Sequence, residues 1–356
     1  MKTNTTLLRN IFALVFLVCA TTFSFAQDEE ETDTKKFTLS GSIDAYYKTN
    51  LNAPNDALVA PQTSFANLDG FALGMANVIA SYETGKVGAV ADLVFGPRGT
   101  DAIFNSPQYS ATGNIVNQLY AYWNVSDKVT LTIGNFNTFL GYEVISPTGN
   151  FNYSTSHLFT NGPFSHTGIK ADFALSDDFS LMLAVMNPTD LTEFNSSDGK
   201  YAFGAQLGYS GQYLNLLADD GGLGFEVDYT GGFDLSEKFF LGLNGAYQSN
   251  SFEVDGTEDE ITEGFYGVAI YPQLTTSDSF AIGLRGEYFG GHTDVDDVDT
   301  ASVFSATLTG SYTVDNLTIK PEIRLDSWSN NEPFIDSDGA PQDNLSVFYL
   351  AAIYAF

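Results

Sequence analysis

The stretch NLTIKPEIRLDSW, residues 316–328, decides the fold class. Successive side chains of an extended chain point to opposite sides, so its residues sort onto two faces. Leu317, Ile319, Pro321, Ile323 and Leu325 share one face, and Thr318, Lys320, Glu322, Arg324 and Asp326 share the other. A period of two sustained this long marks a strand. A small soluble barrel or sandwich turns apolar side chains inward. Here the face opposite the apolar one is ionic. Lipid tolerates charge poorly, so the apolar side fits lipid and the charged side fits the wet interior of a wide transmembrane barrel.

The same separation recurs upstream. On 279–290, Ile282, Leu284 and Tyr288 oppose Arg285 and Glu287. On 222–234, Leu223, Phe225, Val227 and Tyr229 oppose Glu226 and Asp228. On 165–175, Ile169, Ala171 and Phe173 oppose Lys170 and Asp172. Segments of this kind are expected at 37–49, 70–82, 86–96, 117–125, 128–137, 165–175, 178–187, 200–210, 212–218, 222–234, 238–249, 263–273, 279–290, 301–313, 316–328 and 344–356. That is about sixteen, of a length that crosses a bilayer at a tilt. Segments 70–82 and 212–218 do not alternate cleanly, and their faces stay unassigned.

Short turns such as Glu83-Thr84-Gly85, Ser126-Asp127 and Ser210-Gly211 alternate with mostly long polar connections at 50–69, 97–116, 138–164, 188–199, 250–262, 291–300 and 329–343, the one around Asp219-Asp220-Gly221 being short. Outer-membrane barrels pair short periplasmic turns with long outer loops in this way. With an even strand count both termini fall on the periplasmic side. The expected fold is therefore all-β: a transmembrane antiparallel up-and-down barrel over 37–356.

The ends agree. Lys2 and Arg9 precede an apolar run over 11–20, and Ser24-Phe25-Ala26 is a small-x-small site. Residues 1–26 thus read as a secretory signal cleaved between Ala26 and Gln27. Cys19 follows Phe16-Leu17-Val18, a poor match to a lipoprotein signal, which stays as an alternative. Residues 27–36 are acidic and are expected to be disordered. At the other end Phe348, Leu350, Ala352, Tyr354 and Phe356 alternate up to the last residue. A terminal aromatic with another two before it matches the signal read by the barrel-assembly machinery, with Tyr354 and Phe356 in the two positions.

Composition is consistent with strands that meet lipid on every second residue: the 356 residues are 14% aromatic and include 33 Gly. The formal charge of −30 argues against nucleic-acid partners. Cys19 is the one cysteine, so a chain cleaved after Ala26 has no disulfide or thiol chemistry.

Inward-facing charges on the expected strands are Asp44, Asp92, Asp172, Glu226, Asp228, Glu287, Glu322 and Asp326 against Lys48, Lys170, Arg285, Lys320 and Arg324. These are the candidate pore-lining residues. Acids exceed bases by three, which predicts mild cation preference if the charges face water. The competing reading is that they pair across neighbouring strands and keep the lumen wet. Two loops are strongly acidic: Glu253, Asp255, Glu258, Asp259 and Glu260 in one, and Asp294, Asp296, Asp297 and Asp299 in the next. Oxygen-rich loops can bind Ca²⁺ or Mg²⁺. The spacing matches no EF-hand, so a solvated surface is the preferred reading. The three histidines, His157, His166 and His292, have no metal-type spacing. His292 near Asp294 and Asp297 is faintly similar to the acid–His rim of outer-membrane proteases. No catalytic set, metal site or cofactor is expected.

The run IGNFNTFLGYEVISPTGNFNYSTSHLF (133–159), followed by GPFSHTGIKA (162–171), resembles the OmpL-like putative β-barrel porin family found in Bacteroidota. Gly134, Phe136 and Thr138 lead into Gly141-Tyr142-Glu143; Asn152-Tyr153-Ser154, Gly162-Pro163-Phe164 and His166-Thr167-Gly168 follow. Thr155 departs from the pattern, where a basic residue is more usual. The resemblance implies an outer-membrane barrel of transport function and names no substrate.

The 138–164 segment carries Glu143 as its one acidic or basic side chain besides His157, unlike the acidic loops. One reading folds it into the barrel with Tyr142, Glu143, Tyr153 and His157 at a constriction; the other packs it on the rim. The functional expectation is passive diffusion of small hydrophilic solutes or ions, in a setting of outer-membrane lipid and lipopolysaccharide. The alternative is a closed barrel that binds or supports through its acidic loops.

Overall fold

A computed structural model describes residues 35–56, 59–103, 115–193, 199–253 and 260–356. The expected signal with Ala26 and Gln27, Cys19, nearly all of 27–36, and Asp255, Glu258 and Asp259 lie outside the described residues.

Sixteen strands form one closed antiparallel barrel. They are β1 (Lys36–Asn50), β2 (Gly70–Thr84), β3 (Val87–Phe95), β4 (Val116–Ser126), β5 (Val129–Asn137), β6 (Ser165–Ala174), β7 (Phe179–Met186) and β8 (Ala202–Tyr209). There follow β9 (Gln212–Asp219), β10 (Gly224–Ser236), β11 (Phe239–Glu253), β12 (Glu260–Ser277), β13 (Phe280–Thr293), β14 (Ser302–Val314), β15 (Leu317–Ser329) and β18 (Asn344–Ala355). The two-residue strands β16 (Phe334–Ile335) and β17 (Pro341–Gln342) pair with each other inside the last long connection. Two short helices, α1 (Pro97–Ala102) and α2 (His157–Asn161), also lie in long connections.

Each strand pairs with its sequence neighbours, and β18 closes the barrel onto β1 from Ser42↔Ala355 to Asn50↔Val347. Closure removes the free edges that an open sheet leaves unpaired. All sixteen expected segments are strands. β11 and β12 run further than alternation alone indicated, pairing out to Glu253↔Glu260 beyond the apolar belt. Both barrel termini lie at the end with the short turns; the longer connections, together with the short 220–223 connection, lie at the other.

The outward face is apolar. Phe71, Val268, Leu119 and Ile133 are among its most exposed side chains. Aromatics form two belts: Tyr82, Trp123, Tyr209, Tyr312, Tyr354 and Phe356 toward the short turns, and Phe225, Tyr247, Tyr266, Tyr288 and Phe304 toward the long loops. This is the girdle arrangement of a barrel in a bilayer.

The two segments with unclear faces have separate physical causes. In β2 the pairing with β1 slips between Ile43 and Ala45, whose partners are Ala76 and Leu73. This bulge at Gly74 and Met75 inverts the alternation partway along the strand. Before it Phe71 and Leu73 face outward; after it Val78 and Tyr82 do, with Asn77 inside. In β9 the alternation is regular, but an inward position carries Leu217, which packs with Phe136, Leu140, Met182 and Met186.

Candidate functional site

The interior of the barrel is occupied by the chain's own 138–164 connection. A backbone segment inside the barrel, away from water, must find partners for its N–H and C=O groups. The wall carboxylates supply them. Glu322 on β15 accepts from the N–H groups of Tyr153 (2.7 Å) and Ser154 (3.0 Å). Glu287 on β13 accepts from His157 (3.0 Å) and Leu158 (2.8 Å) at the start of α2. Asp228 on β10 accepts from Gly141 at 3.0 Å.

Wall cations take the carbonyls. Lys320 donates to Asn150 O (2.5 Å), Arg285 to Ser154 O (2.5 Å) and Arg324 to Thr155 O (2.7 Å). Charge-assisted bonds of this kind are the strong class. The loop's own Glu143 pairs with Arg285 at 2.6 Å and accepts from Ser156 N at 2.6 Å.

Side chains add further contacts between loop and wall. Tyr153 is fully buried and donates its hydroxyl to Asp44 at 2.6 Å. Burial, reinforced by the Asp44 charge, holds that phenol well above its ordinary pKa, so it stays a donor. Tyr142 stacks on Tyr271 with ring centroids 4.2 Å apart, and burial beside Glu143 pushes its pKa up to about 12. The wall is notched to receive these rings. A Cβ at Gly242 would collide with Tyr142, and one at Gly283 with Phe151.

The candidate pore-lining residues all lie on the inner face, but the expectation of a wide wet lumen around them is corrected. Asp44, Lys48, Asp92, Glu226, Asp228, Arg285, Glu287, Lys320, Glu322, Arg324 and Asp326 are each 5% exposed or less. Most are engaged by the inserted segment or by neighbouring side chains. Lys170 and Asp172 alone of the thirteen keep substantial exposure, 25% and 41% of their side chains. The competing reading, pairing across adjacent strands, is corrected too. Ion pairs among the described residues run along one strand, as in Lys170–Asp172 and Arg324–Asp326, or from wall to loop, as in Lys48–Asp69 and Arg285–Glu143.

The loop candidates come together inside the barrel. His157 Nε2 accepts from Arg324 at 3.1 Å and lies 3.9 Å from Asp326. Glu143 and Tyr153 are buried as described above. Thr155, the departure from the family pattern, is buried, and its carbonyl receives Arg324. A wall arginine thus supplies the cation at that point. His166 meets Thr138 at 3.0 Å, and His292 stacks on Tyr247 and meets Gln248 O at 2.8 Å.

One important residue escaped the sequence reading. Arg98, on α1, is buried, donates to Ile145 O (2.7 Å) and Tyr153 O (3.4 Å), and stands 4.5 Å over the Phe65 ring. The available signal was rarity: the chain has 14 Lys and Arg against 44 acids.

Among the described residues, open cavities lie between the inserted loop and the barrel wall. One, about 570 Å³, lies between the loop start at Thr138 and Phe139 and the β4–β8 wall. A second, also about 570 Å³, lies between Tyr142, 147–151 and the β11–β18 wall, with Lys320 on its border.

Residues 36–356 match the family described as Putative beta-barrel porin-2, OmpL-like. In structure the chain is similar to the outer membrane channel DcaP of Acinetobacter baumannii (TM-score 0.59, 13% identity, 93% of this chain and 100% of that one). It is similar also to an anion-selective porin from Comamonas acidovorans (TM-score 0.58, 11% identity, 91% and 100%). A third likeness is to a loop L8 deletion mutant of the Vibrio cholerae outer membrane protein OmpT (TM-score 0.56, 10% identity, 91% and 100%). At these identities the likenesses show the fold. No curated protein is significantly similar in sequence. The family match spans nearly the whole chain, and the chain belongs to the OmpL-like beta-barrel porin-2 family of the outer membrane.

Proposed function

We propose that this member of the porin family passes small hydrophilic solutes passively across the outer membrane, with the 138–164 loop narrowing the path. One observation carries the reading. The loop is held inside the barrel by wall charges, yet cavities of about 570 Å³ stay open on either side of it. A sixteen-stranded wall is wide enough to leave an aqueous channel around such an insert. In this reading Tyr142, Glu143, Tyr153 and His157 form the constriction. Lys170 and Asp172 line its accessible wall, while the buried charges act on solutes through the loop they hold.

Weak cation preference is the finer proposal. Its support moves from the wall, where most charges are buried, to the acidic long-loop end, where Asp294, Asp296, Asp297 and Asp299 raise the local cation concentration. The short-turn end with both barrel termini is proposed to face the periplasm. Tyr354 and Phe356 are proposed to be read by the assembly machinery.

Single-channel recording of the refolded chain in a planar bilayer under a salt gradient tests this. Steady ohmic steps with a reversal potential of cation sign are expected. The burial of eleven wall charges favours a second reading, a closed barrel whose acidic loops bind a partner or support the envelope. A correctly folded but silent barrel would select it.

A further inference from the structure

We infer that the cavity on the β4–β8 side is a binding site for a neutral polyhydroxylated solute, of the size of a mono- or disaccharide. The inference rests on the porin reading for its biological use, but not for the binding itself.

The charge of the cavity favours a neutral occupant. The accessible ions of this cavity are Lys170 and Asp172, and their side chains pair with each other at 2.7 Å. A charged solute gains no net charge here and must compete with an existing ion pair. A neutral solute can use the pair as it stands, accepting from the ammonium and donating to the carboxylate.

The polar lining is of a kind that both donates and accepts hydrogen bonds. Side-chain amides of Gln118, Asn137 and Gln206 line the cavity beside threonine hydroxyls. Amides and hydroxyls both donate and accept, which suits vicinal hydroxyl groups that do the same.

The cavity also has an apolar, aromatic surface. Tyr120, Phe136 and Phe139 present rings to the same space, and Lys170 Nζ lies 5.7 Å from the Phe136 centroid. A sugar ring has C–H faces that pack on aromatic rings while its rim hydroxyls bond to polar groups. The volume falls in the roughly 300–1,000 Å³ range of small-molecule pockets. Phe139 belongs to the inserted loop, so the site exists only because the loop is folded in. The second cavity lacks this balance, because Lys320 stands there without an acidic side chain in the lining.

The test is calorimetric titration of the folded full chain in detergent with maltose, beside succinate and arginine as charged probes. Conductance with and without maltose is recorded in parallel. Saturable maltose binding is expected, weakened at least ten-fold by Tyr120→Ala and by Lys170→Met in variants whose folding is confirmed by heat-modifiable gel mobility. Tighter binding of succinate or arginine than of maltose overturns the ligand class. A conducting barrel with no maltose binding overturns the site and leaves the pore reading standing. Maltose binding to a silent barrel supports the site and removes the pore reading.

Discussion

Glu143 and Arg285 lie 2.6 Å apart with both side chains almost wholly buried, joining the loop's one acidic group to a cation on β13. Arg285 also donates to Ser154 O and Thr307 Oγ1, so one guanidinium ties together the loop and two wall strands. A buried pair of this kind is costly to break from one side, because the survivor is left charged and unpartnered.

Glu143→Ala is therefore expected to destabilise the folded chain by about 3–5 kcal/mol. The double replacement Glu143→Met with Arg285→Met should recover much of that loss, since both charges leave together. Urea unfolding in detergent, followed by tryptophan fluorescence, measures both. A single variant as stable as the parent would show that the pair does not hold the loop.

Glu322→Gln removes the charge from the acceptor of two loop N–H groups. Hydrogen bonds to charged groups contribute about 1.5–3 kcal/mol each. The loop should loosen while the wall, held by its own ladder, stays intact. Expected outcomes are noisier and larger single-channel steps and faster protease cleavage within 138–164.

Deleting 146–158 should raise conductance several-fold in a barrel of unchanged circular dichroism. The excision removes the loop partners of Glu322, Glu287 and Arg324, and the atoms so freed hydrate. Unchanged conductance in a folded variant would defeat the proposed constriction.

Asp190 lies in the 187–201 connection and accepts from Phe164 N (2.9 Å) and Ser165 N (2.8 Å). Burial outweighs these bonds and pushes its carboxyl up to about 6, with the Asp219 charge adding to the rise. A carboxyl raised on folding contributes stability that is full below its ordinary value of 3.8 and lost as pH rises through about 6. The stability difference between the parent and Asp190→Asn should therefore shift in favour of the variant between pH 4 and 6. Unfolding midpoints across that range, compared pairwise, check the sign.

Phe356 exchanges backbone hydrogen bonds with Gly41 in both directions at 3.0 Å, and its ring rests where a Gly41 side chain would be. Gly41→Val should obstruct closure and lower the heat-modifiable folded fraction. Phe356→Ala keeps the backbone bonds and should fold in detergent but insert poorly in cells. Equal insertion of this variant and the parent would detach the last residue from assembly.

The wall was legible in the sequence because lipid imposes a local rule: every second residue must be apolar, and each strand obeys it within its own few residues. The ionic run from Thr318 to Asp326 announces its inward face without help from any other strand. β2 was illegible because a bulge at Gly74 and Met75 inverts its alternation, and β9 because an apolar side chain, Leu217, also occupies an inward position and hides a regular pattern.

The candidate site was legible only in part. Sequence identified the inward charges and the unusual loop, but it left those charges either facing water or paired across neighbouring strands, and did not join them to the loop. Glu322 and Tyr153 are 169 positions apart, and nothing near either residue states that one accepts from the other. Arg98 was invisible for the same reason, since its partners lie 47 and 55 positions away. Sequence by itself determined the class, the strand number and which face meets lipid, because alternation acts residue by residue. The tertiary structure alone decided that the loop enters the barrel and narrows it, because a loop can do so only where distant wall charges satisfy its backbone.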